Sequence, residues 1–325
     1  MSAQRTNIRE SVSPPKISIV GAGMVGSTIA YSLTVEQLTA ELVLLDIDED
    51  QARGEVRDIN HALPFLAPTR VSAGDYEACR GSDIIVITAG AAQEAGESRL
   101  SLAEKNFEIF QDIIPRIEEV ADQALVIVVS NPVDILTYAT IELSSLPPER
   151  VLGSGTVLDT ARFRYELSKH CQLDPRNVHA YILGEHGDSE VPVWSLANVA
   201  GMPFKQFCEA CPKECRGQRE LEEIFESVKN AAYEIIRLKG ATYYAIGMGT
   251  TRIIEAILRD QHTILTASTL LTGQYGMEDL CMSLPVVLGR EGVRMTVELP
   301  VSDEEGEGLH HSADVIREAL NKVGL

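Results

Sequence analysis

Apolar positions along the chain follow two regimes. Up to about residue 155, short apolar runs alternate with amphipathic stretches. Lys16–Val20, Glu41–Ile47 and Val71–Gly74 read as strands. Asp83–Thr88 (DIIVIT) and Ala124–Ser130 (ALVIVVS) are apolar and β-branched on both faces, as in strands covered on both sides of a parallel sheet. Arg150–Gly153 reads as a last short strand. Helical spacing fills the gaps, notably over Ser27–Gln37 and over Leu100–Ala121, where Leu102, Phe107, Phe110, Ile113, Ile114 and Ile117 recur along one side. This alternation predicts an α/β fold with a Rossmann-type doubly wound parallel sheet.

Beyond residue 155 the pattern becomes α+β. It predicts a helix over Asp159–His170, a strand over Val178–Leu183 and a long helix over Arg219–Lys239 interrupted at Gly240. Further strands are expected over His262–Leu271, Pro285–Leu288 and Val293–Leu299, the last two joined by a turn at Gly289–Gly292. Ser302 followed by Glu305 has the spacing of a capping box, opening a final helix that ends near Val323. The expected organisation is a loose tail over 1–15, a Rossmann domain over 16–155 and a catalytic α+β domain over 156–325, tightly joined because no flexible linker separates the halves.

Charge narrows the function. The 28 basic and 48 acidic residues give a formal net charge of −20, a surface that repels nucleic acid and anionic lipid. No apolar stretch approaches the roughly 20 residues of a spanning helix. The polar N-terminus carries no secretory signal, so a cytoplasmic protein is expected, with the six cysteines as reduced thiols. Cys208, Cys211 and Cys215 make a C-x-x-C-x-x-x-C run without an evident fourth ligand, read as a surface connection; no metal is expected there.

Lys16–Val20 runs into Gly21-Ala22-Gly23-Met24-Val25-Gly26, with a helix following. In that context GxGxxG allows a tight turn, close approach of backbone to a pyrophosphate and close packing of helix on strand, while the helix N-terminus presents N–H groups to the anion. Asp46 closes the second strand 20 residues after Gly26, placed to accept from adenosine ribose hydroxyls and to repel a ribose phosphate. NAD is preferred over NADP. FAD or another adenosine-bearing ligand uses similar loops, but no flavin-contacting segment is identifiable.

Three further stretches carry a resemblance. They are Ala89-Gly-Ala-Ala-Gln-Glu-Ala-Gly-Glu-Ser-Arg99, Asn131-Pro-Val-Asp134, and Leu158-Asp-Thr-Ala-Arg-Phe-Arg164 taken with Gly184-Glu-His-Gly-Asp188. Together they resemble the L-lactate dehydrogenases over roughly residues 16–320, extending to Lys239-Gly-Ala-Thr242 and His310-His-Ser-Ala313. The resemblance implies a homotetrameric, NAD-dependent enzyme interconverting lactate and pyruvate under a mobile loop. It makes His186 the acid/base, Asp159 the carboxylate that holds the imidazole, and Arg162 the two-point anchor of the substrate carboxylate. Arg99 becomes the lid arginine beside the reacting oxygen, Asn131 a donor to that oxygen, and Thr242 part of the methyl side of the pocket. Gln93 stands where malate dehydrogenases carry arginine, so a second substrate carboxylate would be buried unpaired at a cost of several kcal/mol. Glu94 and Ala95 replace a commonly basic residue and a common proline of that loop.

The cofactor contacts implied are Gly21, Gly23, Met24, Val25, Gly26, Asp46, Tyr76, Gly90, Ala91, Ser130, Asn131 and Ser154. Arg164 and His179 match the arginine and histidine of relatives activated by fructose 1,6-bisphosphate, which suggests an effector site between subunits. A malate dehydrogenase on the same scaffold and a non-catalytic NAD-binding sensor are the competing readings.

Overall fold

The computed structural model describes residues 15–91, 99–210 and 218–325. Gln93, Glu94, Ala95, Cys211 and Cys215 lie outside them, as does most of the tail.

The first half alternates as expected: β1 (Lys16–Val20), α1 (Met24–Val35), β2 (Glu41–Leu45), α2 (Glu49–Ala62), β3 (Arg70–Ala73), β4 (Ile84–Ile87), α3 (Arg99–Ala121), β5 (Leu125–Val128), α4 (Val133–Leu143) and β6 (Val151–Gly153). These strands pair in parallel in the order β3-β2-β1-β4-β5-β6. Every residue of β4 and β5 is buried, which is why neither shows a polar alternation. The order reverses between β1 and β4, and the crevice at the carboxyl ends of those strands is where sheets of this kind bind ligands.

The second half comprises α5 (Val157–Cys171), β7 (Val178–His179), β8 (Ile182–Leu183), β9 (Val191–Pro192), β10 (Asn198–Val199), β11 (Met202–Pro203), α6 (Phe204–Ala210), α7 (Gln218–Lys239), α8 (Tyr244–Leu258), β12 (Thr263–Thr272), β13 (Glu278–Gly289), β14 (Gly292–Thr296) and α9 (Asp303–Val323). Its three long strands make no separate sheet. They extend the parallel one as an antiparallel edge, β12 meeting β6 at Ser268 and Gly153, so one nine-stranded sheet crosses residue 155. Gly153 permits that junction, because a Cβ there would stand 2.4 Å from Thr137 Oγ1 and 2.9 Å from Ser268 Cβ.

The single strand expected over Val178–Leu183 is two. β7 pairs with β10 in a three-stranded sheet, whereas β8 pairs with β9. Between them the Ala180 carbonyl accepts from Arg164 Nε (2.9 Å) and the Tyr181 carbonyl accepts from Val193 N–H (2.9 Å), so the chain changes partners there. β13 begins seven residues before the expected Pro285, its inner positions buried without periodicity. The capping box is present: Ser302 Oγ accepts from Glu305 N–H at 3.3 Å and Glu305 Oε2 accepts from Ser302 N–H at 2.8 Å.

One core lies where α1, α2 and α8 cover the sheet and a second beneath α3 and α4. A third surrounds α9, and a fourth joins α5 to α7 around Phe163 and Phe204. Helix α8 packs on α1 so closely that a Cβ at Gly247 would lie 2.5 Å from Thr28 Cγ2. The second half is thereby docked on the helix that follows the glycine loop. Among the described residues no helix is long and apolar enough to cross a membrane.

Candidate active site

The glycine loop is shaped by backbone. Gly21 has φ +107°, and a Cβ there would come within 2.6 Å of Ala89 N. A Cβ at Gly26 would lie 1.9 Å from the Gly21 carbonyl oxygen, so strand and helix meet only through glycine. Gly23, the N-cap of α1, is different: a Cβ there meets nothing within 4 Å, leaving its backbone approachable from the crevice. Asp46 closes the loop from β2, its Oδ2 accepting from Ala22 N–H at 2.6 Å and its Oδ1 from Asp48 N–H at 3.0 Å.

The loop after β4 is held by a residue the sequence reading did not single out. Buried Asn106 of α3 accepts from Ala91 N–H (2.7 Å) through Oδ1 and donates to the Asn131 carbonyl (2.6 Å) through Nδ2. It joins Gly90–Ala91 to Asn131, two of the expected contact segments. The signal was in the sequence: Asn106 interrupts the buried stripe Leu102, Phe110, Ile113 at helical spacing. Ser130 Oγ donates to the Ala89 carbonyl at 2.6 Å. Tyr76 lies half-buried beyond β3, with the Arg116 guanidinium 5.4 Å over its ring. Arg99 opens α3, and its side chain is outside the described part.

Beside this loop a cleft of about 230 Å³ brings together Asn131, Ser154, Asp159, Arg162, His186 and Thr242. Val25 of α1 reaches the same cleft. A larger cavity of about 590 Å³ sits at the amino ends of β4, β5 and β6, by Asp83, Leu125 and Arg150, and holds none of the candidate residues.

His186 Nδ1 is 2.6 Å from Asp159 Oδ2, and Arg162 Nη1 donates to Asp159 Oδ1 at 2.9 Å. Asp159 and Arg162 come from the first turns of α5, three residues apart, and His186 from the turn after β8, so one carboxylate receives both charges. The Asp159–Arg162 pair is thus an intrahelical salt bridge that also faces the cleft, at 5% and 14% side-chain exposure. Burial disfavours the Asp159 carboxylate, but His186 and Arg162 outweigh it and hold its pKa below the ordinary value. Burial likewise opposes charge on the His186 ring. The Asp159 carboxylate, with Asp134 and Glu190 behind it, reverses this and pushes the pKa up to about 9.

Two acids with no role assigned from sequence complete the site. Asp134 Oδ2 accepts from the His186 backbone N–H at 2.7 Å, pinning the turn that carries His186. Burial, opposed by Ser268 and His186, pushes its pKa up to about 6. Glu190 lines the cleft, and among the described residues its buried Oε1 has no hydrogen-bond partner. Burial and the nearby Asp159 charge push its pKa up to about 8, so it is largely neutral at pH 7. From α7 come Lys229, Tyr233 and Ile236, also unassigned from sequence.

Arg164 points away from this cleft. Its Nε donates to the Ala180 carbonyl, its guanidinium lies 5.2 Å from the Tyr181 ring centroid, and burial lowers its pKa. His179, one residue before Ala180, is exposed. Cys208 departs from the surface connection expected of it: it is buried against α5.

Comparison with known proteins agrees with this geometry. Residues 15–153 match the lactate/malate dehydrogenase NAD-binding domain and residues 156–324 match the lactate/malate dehydrogenase alpha/beta C-terminal domain. The chain belongs to the lactate/malate dehydrogenase family. This dehydrogenase is 51% identical over 310 residues to the L-lactate dehydrogenase of Acetivibrio thermocellus, covering 95% of this chain and 98% of that one. It is 52% identical over 310 residues to that of Thermoanaerobacter sp., covering 95% and 99%. Among solved structures it resembles the minor L-lactate dehydrogenase of Enterococcus mundtii in a ligand-bound form, with a TM-score of 0.92 and 40% identity over 96% of this chain and 99% of that one.

NAD is the cofactor of this dehydrogenase, and the loop fits it. Gly23 leaves backbone open for a pyrophosphate, and the Asp46 carboxylate, with about four acceptor sites, can serve ribose hydroxyls beside the Ala22 and Asp48 N–H groups.

Proposed function

We propose that this chain is an L-lactate dehydrogenase that interconverts (S)-lactate and pyruvate, working as a cytosolic homotetramer. The observation that carries the reading is the continuous His186–Asp159–Arg162 relay facing a small cleft beside the glycine loop. The cofactor is assigned to Gly21, Gly23, Met24, Val25, Gly26, Asp46, Tyr76, Gly90, Ala91, Ser130, Asn131 and Ser154 of a domain ending near residue 155. Bound NAD supplies the acceptor for the hydride leaving C2 of lactate.

The protein's own groups manage the proton and the charges. With Nδ1 committed to Asp159, His186 uses Nε2 to take the hydroxyl proton, and in the reverse direction to give it to the carbonyl oxygen. Asp159 stabilises the imidazolium and fixes its tautomer. Arg162 keeps one N–H on Asp159 and offers the others to the substrate carboxylate. Arg99 and Asn131 serve the reacting oxygen, Thr242 the methyl side. Neutral Glu190 matters to the charge balance: protonated, it adds no further anion beside Arg162, where the substrate carboxylate is to bind.

NADH oxidation measured with pyruvate and oxaloacetate in parallel tests the proposal. Pyruvate preference is expected. Oxaloacetate preference indicates a malate dehydrogenase, and tight NADH binding with neither substrate turned over indicates a sensor. Gln93→Arg should move the ratio toward oxaloacetate by about a hundredfold, equivalent to ~3 kcal/mol; an unchanged ratio would place selectivity elsewhere.

Arg164 and His179 are assigned to a sugar-bisphosphate site between subunits. In support, Arg164 lies by Ala180, next in sequence to His179, and has no carboxylate partner among the described residues. Fructose 1,6-bisphosphate is expected to shift the pyruvate saturation curve to lower concentration; an unshifted curve, measured where activity is not already maximal, removes the assignment.

A further inference from the structure

Helix α5 carries the relay near its start and a second chemical cluster at its end. His170 and Cys171 close α5 about 12–14 Å along the axis from Arg162, and Cys208 of α6 packs against them. One nitrogen of His170 and the two sulfurs lie within 4.8 Å of one another, and all three residues are buried. These thiols are not joined as a disulfide.

We propose that His170, Cys171 and Cys208 form a zinc site that clamps α5 to α6. Two cysteines alone would be unremarkable core packing, since a buried thiol behaves as a small hydrophobe. An imidazole added to them gives the soft sulfur and nitrogen donors that zinc selects over hard cations. His170 also has a carboxylate neighbour. Its Nδ1 lies 3.2 Å from Glu220 Oε1, the carboxylate-on-imidazole arrangement found behind ligating histidines, which leaves Nε2 for a metal. At zinc bond lengths of about 2.0–2.3 Å, tetrahedral donors stand roughly 3.4–3.8 Å apart, so closing the cluster needs movement of at most about 1.4 Å. Binding releases the two thiol protons and leaves the fourth position to water or another donor. Cys211 and Cys215 lie outside the described residues and are no part of this assignment.

With three protein donors and an open fourth position, the proposed ion serves to hold two helices together. It ties the end of α5 to α6, ahead of α7, which supplies Lys229 and Tyr233 to the cleft. The full-length protein, purified under reducing conditions without chelator, is expected to hold roughly one zinc per chain, and its removal should lower Tm by about 5 °C. Cobalt exchanged into the site should give a thiolate-to-cobalt charge-transfer band, a readout that needs no mutation. Cys171→Ser and Cys208→Ser should each lose the metal and the band, while Cys79→Ser and Cys281→Ser keep both. Absence of zinc and of the cobalt band overturns the proposal, as does metal retained in the Cys171→Ser/Cys208→Ser double variant. A Cys171–Cys208 disulfide found by mass spectrometry in protein kept reduced would overturn it too, making the cluster a redox pair.

Discussion

The glycine loop and the catalytic cleft adjoin each other, yet they are built on opposite principles. The loop is short-range and uncharged apart from Asp46: residues 21–26 and the end of β2 make a surface whose shape comes from missing side chains. The cleft is long-range and crowded with charge, drawing Asn131 and Asp134, Asp159 and Arg162, His186 and Glu190, and Lys229 and Thr242 from four separate stretches. On the proposed assignment, backbone geometry governs cofactor binding and mutual electrostatics governs the chemistry. The two should be separable by mutation.

His186→Ala gives the largest expected effect, a loss of about 10³–10⁴-fold in turnover with NADH affinity unchanged in fluorescence titration. A parallel loss of NADH affinity would break the separation. Gly26→Ala should do the reverse. Its Cβ collides with the Gly21 carbonyl, so NADH Kd should rise about tenfold and stability should fall by about 1–3 kcal/mol in denaturant titration. The pH profile of whatever turnover remains should keep its shape.

The smallest effect concerns the charge within the cleft. His186 has a folded pKa of about 9 against an ordinary value near 6.5, so the stability from its charged form is complete below about pH 6.5 and lost as pH rises through about 9. With His186 as the proposed acid, pyruvate reduction should decline over the upper part of the same range, and lactate oxidation should gain. Glu190 ionises earlier, near about pH 8, placing a negative charge beside Arg162. Apparent KM for pyruvate should therefore rise by a few-fold above about pH 8 in the wild type, and only near about pH 9 in Glu190→Gln. Superimposable profiles would show that Glu190 does not titrate in the cleft.

The parallel half of the fold was legible because its strands are continuous apolar runs and its glycines mark a turn with one geometric solution. The antiparallel half was legible as elements only. Nothing local in Thr263–Thr272 says that it joins the edge of β6, and Val178–Leu183 looks like one strand until Arg164 and Val193 take its central carbonyls. His186, Asp159 and Arg162 were legible as motifs. Asp134 was visible within a motif but without a role, since its acceptance of the His186 N–H spans 52 positions.

What the sequence alone determined is periodicity, the glycine turn, the capping box and the residue types available for hydride and proton chemistry, all properties of neighbours along the chain. What only the tertiary structure decided is which charges meet. The protonation states of His186 and Glu190, and the approach of Cys208 to His170 and Cys171, depend on burial and on groups brought together from distant segments. Coulomb energy and desolvation vary with distance in space, for which separation along the chain is no guide.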